Sequence, residues 1–108
     1  ANATLAALFD QVDFISSATN PDTAFPARLE VNTRVAGEKV DLGNNGALTI
    51  PYNIVGNPAV TIPIEQLDGL PVGMQVATRH HAEELLLDLA AIAESQCPWP
   101  LVAPGAPV

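Results

Sequence analysis

Ala59-Val60-Thr61-Ile62-Pro63-Ile64 and Val72-Gly73-Met74-Gln75-Val76-Ala77-Thr78 stand on either side of Asp68-Gly69, and the fold turns on how this stretch is read. Val60, Ile62 and Ile64 alternate onto one face of the first run, and Val72, Met74 and Val76 do the same in the second. That period of two is the signature of strands with one buried side. Asp68-Gly69 supplies turn chemistry between them, so a hairpin is predicted over about 59–78. Pro63 and Pro71 cannot donate to a strand ladder, which assigns them to strand ends or to an edge. Gly73 lets another backbone or side chain approach closely, and packing is the ordinary use of such a glycine.

Beyond the hairpin, a closing helix is predicted over about 81–95, with Ala82, Leu85, Leu86, Leu89, Ile92 and Ala93 as an apolar stripe that must be buried. Glu83 and Glu84 fall in its first turn, where they complement the helix dipole. Pro98, Pro100, Pro104 and Pro107 make 97–108 a proline-rich tail, either an extended strap or disordered. Upstream, Ala47 to Gly56 reads as a helix with Pro51 in its first turn and Gly56 as its stop. Asn44-Asn45-Gly46 before it is a turn. Residues 19–46 have low periodicity, with short pieces such as Arg28 to Val31 between prolines and glycines. They imply a functional surface or a segment that leans on further protein. Leu5, Leu8, Phe9 and Val12 give a short helix from Ala3 to Val12, and Asp13 to Ala18 reads as a buried strand ended at Asn20-Pro21-Asp22. Helix followed by strand places the chain in the α/β class.

The 108 residues, 48% apolar, suit a single unit. Twelve acidic against four basic residues give a net charge of −8, which argues against nucleic acid and anionic membranes as partners. No apolar run nears the roughly 20 residues that span a bilayer. The single cysteine, Cys97, suits a cytoplasmic setting and reads as a small apolar side chain near a helix end. His80 or His81 with Glu84 could face one metal from a helix, but two ligands do not make a site, and no metal is expected. No cofactor is expected either, since no glycine-rich phosphate cradle occurs. Asp10, Asp13 and Asp22 read as solvated carboxylates rather than an acid–base pair. No serine or cysteine stands in a nucleophile motif that would use the histidines.

The run Leu48-Thr49-Ile50-Pro51-Tyr52-Asn53-Ile54-Val55-Gly56-Asn57-Pro58-Ala59-Val60-Thr61-Ile62-Pro63, followed by Asp68-Gly69-Leu70-Pro71-Val72-Gly73-Met74-Gln75, closely resembles the C-terminal segment of amidase-signature enzymes. Glu83 and Leu86-Leu87 fit that segment's closing helix, and Asp13-Phe14-Ile15 resembles its core strand. The resemblance implies a mixed sheet flanked by helices, to which this segment gives a few strands and helices. It also implies amide hydrolysis by a serine nucleophile, a second serine that relays protons and a lysine base. None of those catalytic residues is matched here: the only lysine is Lys39, and no Gly-Gly-Ser-Ser-Gly-like stretch occurs. Thr61 stands where the family usually has serine. Ala82 falls near a helix-capping aspartate. Gly46 falls where the glutamine-using amidotransferase branch tends to carry a substrate-holding aspartate, which points away from that branch.

The resemblance makes Gly46, Thr49 and Asn53 the candidate substrate-binding residues, although Asn53 and Gln75 read more readily as side chains that tie backbone groups inside the fold. The expected function is that of a C-terminal amidase fragment, inactive alone, whose full-length form takes a small-molecule amide. The alternative is a non-catalytic binding or assembly module of the same shape. The chain opens inside a helical pattern without an initiating methionine, which favours the fragment. Unpaired sheet edges and an open apolar face predict self-association of the isolated chain.

Overall fold

The computed structural model describes residues 2–103 and 105. Chain order is α1 (Asn2–Phe9), β1 (Ile15–Ala18), β2 (Arg34–Val35), β3 (Glu38–Lys39), a 3-10 helix (Leu42–Gly46), α2 (Ile50–Val55), β4 (Ala59–Leu67), β5 (Leu70–Ala77) and α3 (Glu83–Gln96). β5 lies at the centre of a three-stranded sheet of order β1-β5-β4, and β2 and β3 form a separate small hairpin. Every pairing among the described residues is antiparallel. The mixed sheet implied by the resemblance is therefore antiparallel in the part supplied here.

The central hairpin turns in two residues. Asp68 and Gly69 have φ of 52° and 78°, the doubly left-handed backbone whose twist matches that of the flanking strands. Because the turn is this tight, the strands run closer to it than the alternation suggests. Pro63 pairs with Gly73 and Glu65 with Val72, so Ile64 is an extra residue in a bulge. The bulge resets the alternation. Ile64, expected beside Val60 and Ile62, is instead 57% exposed. Pro63 sits on the edge strand at that bulge and Pro71 near the start of β5, both positions where a missing N–H costs little.

Ile62, Val76 and Leu86 form the core, with Val60, Met74, Leu89, Ala90, Ala93 and Trp99 packed against them. α3 thus lies across one face of the sheet, and Trp99 brings the start of the tail back as a strap. Pro104 and Pro107 of the expected tail lie outside the described residues. The helix stripe needs correction. Leu85 and Ile92 are 39% and 60% exposed, because a three-stranded sheet is wide enough to cover only the Leu86–Leu89–Ala93 side. α3 starts at Glu83 with Ala82 as its N-cap and no side-chain cap bond, as the departure at position 82 implied. Cys97 ends it, exposed, with its N–H on the Ala93 carbonyl at 2.8 Å.

α2 matches its sequence signals. Pro51 falls in the first turn, and Gly56, at φ 85°, closes the helix with its N–H on the Tyr52 carbonyl. Burial pushes the Tyr52 phenol above its usual range. α1 is shorter than the apolar spacing suggests and passes into a turn at Asp10, with the Val12 N–H on the Leu8 carbonyl at 3.0 Å. Phe9 is buried, while Leu8 and Val12 are each 43% exposed.

Candidate functional site: a groove beside the sheet

The segment that carried no periodicity is organised by side chains bonded to backbone. Asp22 begins it: its Oδ1 accepts the Thr23 N–H at 2.8 Å and its Oδ2 accepts the Ala36 N–H at 2.9 Å. The Ala36 bond, followed by the Thr23 bond, holds the Asp22 carboxyl below the usual carboxylate range. Asn45 makes the second tie. Its Oδ1 accepts the Asn32 N–H at 2.7 Å, while its Nδ2 donates to the Asn32 and Leu42 carbonyls at 3.1 and 3.0 Å. Asn45 thereby completes the hydrogen bonding of a stretch that has no strand partner, and it sits in a 3-10 helix rather than the simple turn expected.

Between this segment and the sheet lies a groove of about 740 Å³. Phe25, Ile64, Leu67, Val72 and Met74 give it apolar walls, and Asn20, Asp22, Asn32 and Asn45 lie along its polar side. Gly73 also lines it and is tightly enclosed. A Cβ there would come within 2.6 Å of Thr61 Cγ2 and 3.2 Å of Thr19 Oγ1. Thr19 further ties this corner, through its N–H on the Gly73 carbonyl at 3.1 Å and its hydroxyl on Thr61 Oγ1 at 3.3 Å.

Gln75, 4% exposed, donates to the Leu48 carbonyl at 2.8 Å and lies 3.4 Å from Ser17 Oγ. That is the backbone-tying role its strand position suggested. Asn53 behaves otherwise. It is exposed on α2, and among the described residues its side chain has no hydrogen bond. Gly46 and Thr49 are half-buried and touch each other, Thr49 Oγ1 donating to the Gly46 carbonyl at 3.5 Å. A Cβ on Gly46 would meet Ile50 Cδ1 at 2.5 Å, so a larger residue there requires Ile50 to swing outward. Neither Gly46, Thr49 nor Asn53 lines the groove, although Asn45, next to Gly46, does.

The remaining chemistry-bearing residues are dispersed. Asp13 pairs with Arg79 at 2.6 Å on the surface, and Thr78 Oγ1 donates to the Asp13 carbonyl at 2.8 Å. Asp10, Arg79 and His80 border a smaller cavity of about 280 Å³. His80 and His81 are exposed, their rings 6.3 Å apart. Among the described residues no group of three or more metal-ligating side chains gathers, and no helix is long and apolar enough to cross a membrane.

The family model described as Amidase matches residues 2–87. The chain belongs to the amidase family. A glutamyl-tRNA(Gln) amidotransferase subunit from Lacticaseibacillus casei is 34% identical to it over 98 residues, which are 91% of this chain and 19% of that protein. Among solved structures, a bacterial aryl acylamidase of the amidase-signature family superposes with a TM-score of 0.76 at 25% identity, covering 90% of this chain and 21% of that one. The corresponding glutamyl-tRNA(Gln) amidotransferase subunit from Thermotoga maritima gives 0.71 at 30% identity, covering 91% and 20%. This amidase-family chain spans about a fifth of the length of the curated relatives it matches. These curated relatives are amidotransferase subunits, the branch against which Gly46 was expected to argue.

Sequence reasoning missed Asp22 and Asn45 as organising residues. A signal was present in Asp22-Thr23, since an aspartate that bonds the next backbone amides is a common turn device. Nothing in the sequence names the Ala36 amide as its second partner.

Proposed function

We propose that this chain is the C-terminal segment of an amide-hydrolysing enzyme and that its contribution is to wall the substrate site rather than to carry out the chemistry. The observation that carries the reading is the groove: about 740 Å³ lie between the sheet and a segment without apolar periodicity, whose backbone Asp22 and Asn45 tie together. That volume falls within the roughly 300–1,000 Å³ range of small-molecule sites. The Amidase match over residues 2–87 supports hydrolysis of a C–N bond in the longer protein. The serine and lysine machinery of the family belongs, on this reading, to polypeptide outside these 108 residues. The chain alone is then inactive, and the whole enzyme works in the cytoplasm on a small-molecule amide. On this reading Gly46, Thr49 and Asn53 remain candidate substrate contacts, although none of the three lines the groove.

An amide-hydrolysis assay on the isolated chain, beside one on the longer protein from the same source, tests this. The expected result is an inert chain and an active longer protein. Hydrolysis by the chain alone would place a nucleophile among its own residues. An inactive longer protein would leave a binding or assembly module.

A further inference from the structure

We propose that the groove holds the apolar group of an uncharged amide, and that Asp22 is the positioning residue that keeps the groove's wall in place. That the bound group belongs to an amide rests on the function proposed above; its apolar, uncharged character comes from the groove itself.

Phe25, Ile64, Leu67, Val72 and Met74 present an apolar surface suited to one ring or a branched alkyl group. The polar lining offers uncharged donors and acceptors, the Ser16 hydroxyl and the Asn20 side-chain amide among them, which suit an amide's N–H and C=O. Among the described residues, Asp22 is the only charged one in the lining. A carboxylate-bearing ligand would find no cation there, and it would enter the field of a chain whose net charge is −8.

Asp22 is not free to act as a counter-ion either. Each of its oxygens accepts a backbone N–H, from Thr23 and from Ala36. Ala36 lies in the β2–β3 turn at φ 52°, a conformation that residues with a Cβ adopt reluctantly. Arg34 Nη1 bonds the Gly37 carbonyl of that turn at 3.0 Å, from the hairpin's own strand. Asp22 is thus the tie that runs from the groove to the hairpin, across 14 residues of sequence. Without it the hairpin keeps its internal bonds and the Asn45 tie at Asn32, and loses its bond to the edge of the groove.

The test uses the 108-residue chain, isotopically labelled, with acetanilide as the uncharged probe and succinanilate as the same anilide bearing a carboxylate. Acetanilide is expected to shift the Gly73 and Asn45 amide resonances, and succinanilate to bind about tenfold more weakly. Asp22→Ala should lower the exchange protection of the Ala36 amide about tenfold and weaken acetanilide at least about fivefold. Asp22→Asn, which keeps the shape but has one acceptor for the two N–H groups, should fall between the wild type and Asp22→Ala in both; Arg34→Ala should leave affinity unchanged. Equal binding of the two probes, unmoved resonances with acetanilide, or lost Ala36 protection without lost affinity would each overturn the proposal. Acetanilide binding in this pattern, with no hydrolysis by the longer protein, would leave the groove standing and remove the amidase reading.

Discussion

A methyl group at position 73 is the smallest change that should be felt throughout the sheet. Its nearest neighbour would be Thr61 Cγ2 at 2.6 Å, with Thr19 Oγ1 at 3.2 Å. Gly73→Ala should therefore destabilise the chain by about 1–3 kcal/mol, the usual cost of overpacking, read from urea unfolding. Thr61→Ser removes the atom in the way and should recover part of that loss, so the two changes will not add. Gly37 offers the contrast. Its added Cβ would meet nothing within 4 Å at φ 82°, leaving only left-handed strain of about 1 kcal/mol. At this scale the sequence was half legible. Gly73 reads as a packing glycine and Gln75 as a backbone tie, because both sit in strands whose alternation fixes their direction. The long-range ties of Asp22 and Asn45 were opaque, since their partners, Ala36 and Asn32, lie 14 and 13 residues away with no pattern between.

Most periodic stretches followed their local signals, α1 being the one that stops short of its apolar spacing. The hairpin, α2 and α3 all stand near the expected boundaries, because alternation, Pro51, Gly56 and the leucine spacing act over a few residues. The bulge at Ile64 was not foreseeable from alternation, which it interrupts. β2, β3 and the 3-10 helix were equally hidden, since two-residue strands bury no face. At the start of α3, Ala82 offers its carbonyl to the Leu85 N–H at 3.1 Å but no side-chain acceptor to the other free helix amides. Ala82→Ser should stabilise the chain by about 0.5–1 kcal/mol, seen as a higher urea midpoint with unchanged slope. The gain belongs at the lower end because Ala82, at ψ 32°, is away from the extended backbone that caps prefer.

The whole molecule exposes more apolar surface than its fold can cover. Leu87, Ile92, Ile54 and Leu42, none of them in the groove, are all more than half exposed, and apolar surface left open to that extent favours association. Sedimentation of the isolated chain over a concentration series should show a rising average mass. A stable monomer at the highest concentration would contradict that. The faces, rather than the edges, should carry the association, because β4 presents Pro63 and a bulge along its outer side. Family membership was readable from the motif around α2 and the hairpin, whereas the groove was not, being a space between elements that no local pattern describes.

Trp99 is the only tryptophan in the chain, and it rests on the Ile62, Val76 and Leu86 cluster rather than on the segment that walls the groove. Indole emission will thus report how firmly the strap grips α3 and the hairpin, and it will stay nearly silent when the β2–β3 corner opens. The molecule carries its own optical probe for one end of its structure and none for the other.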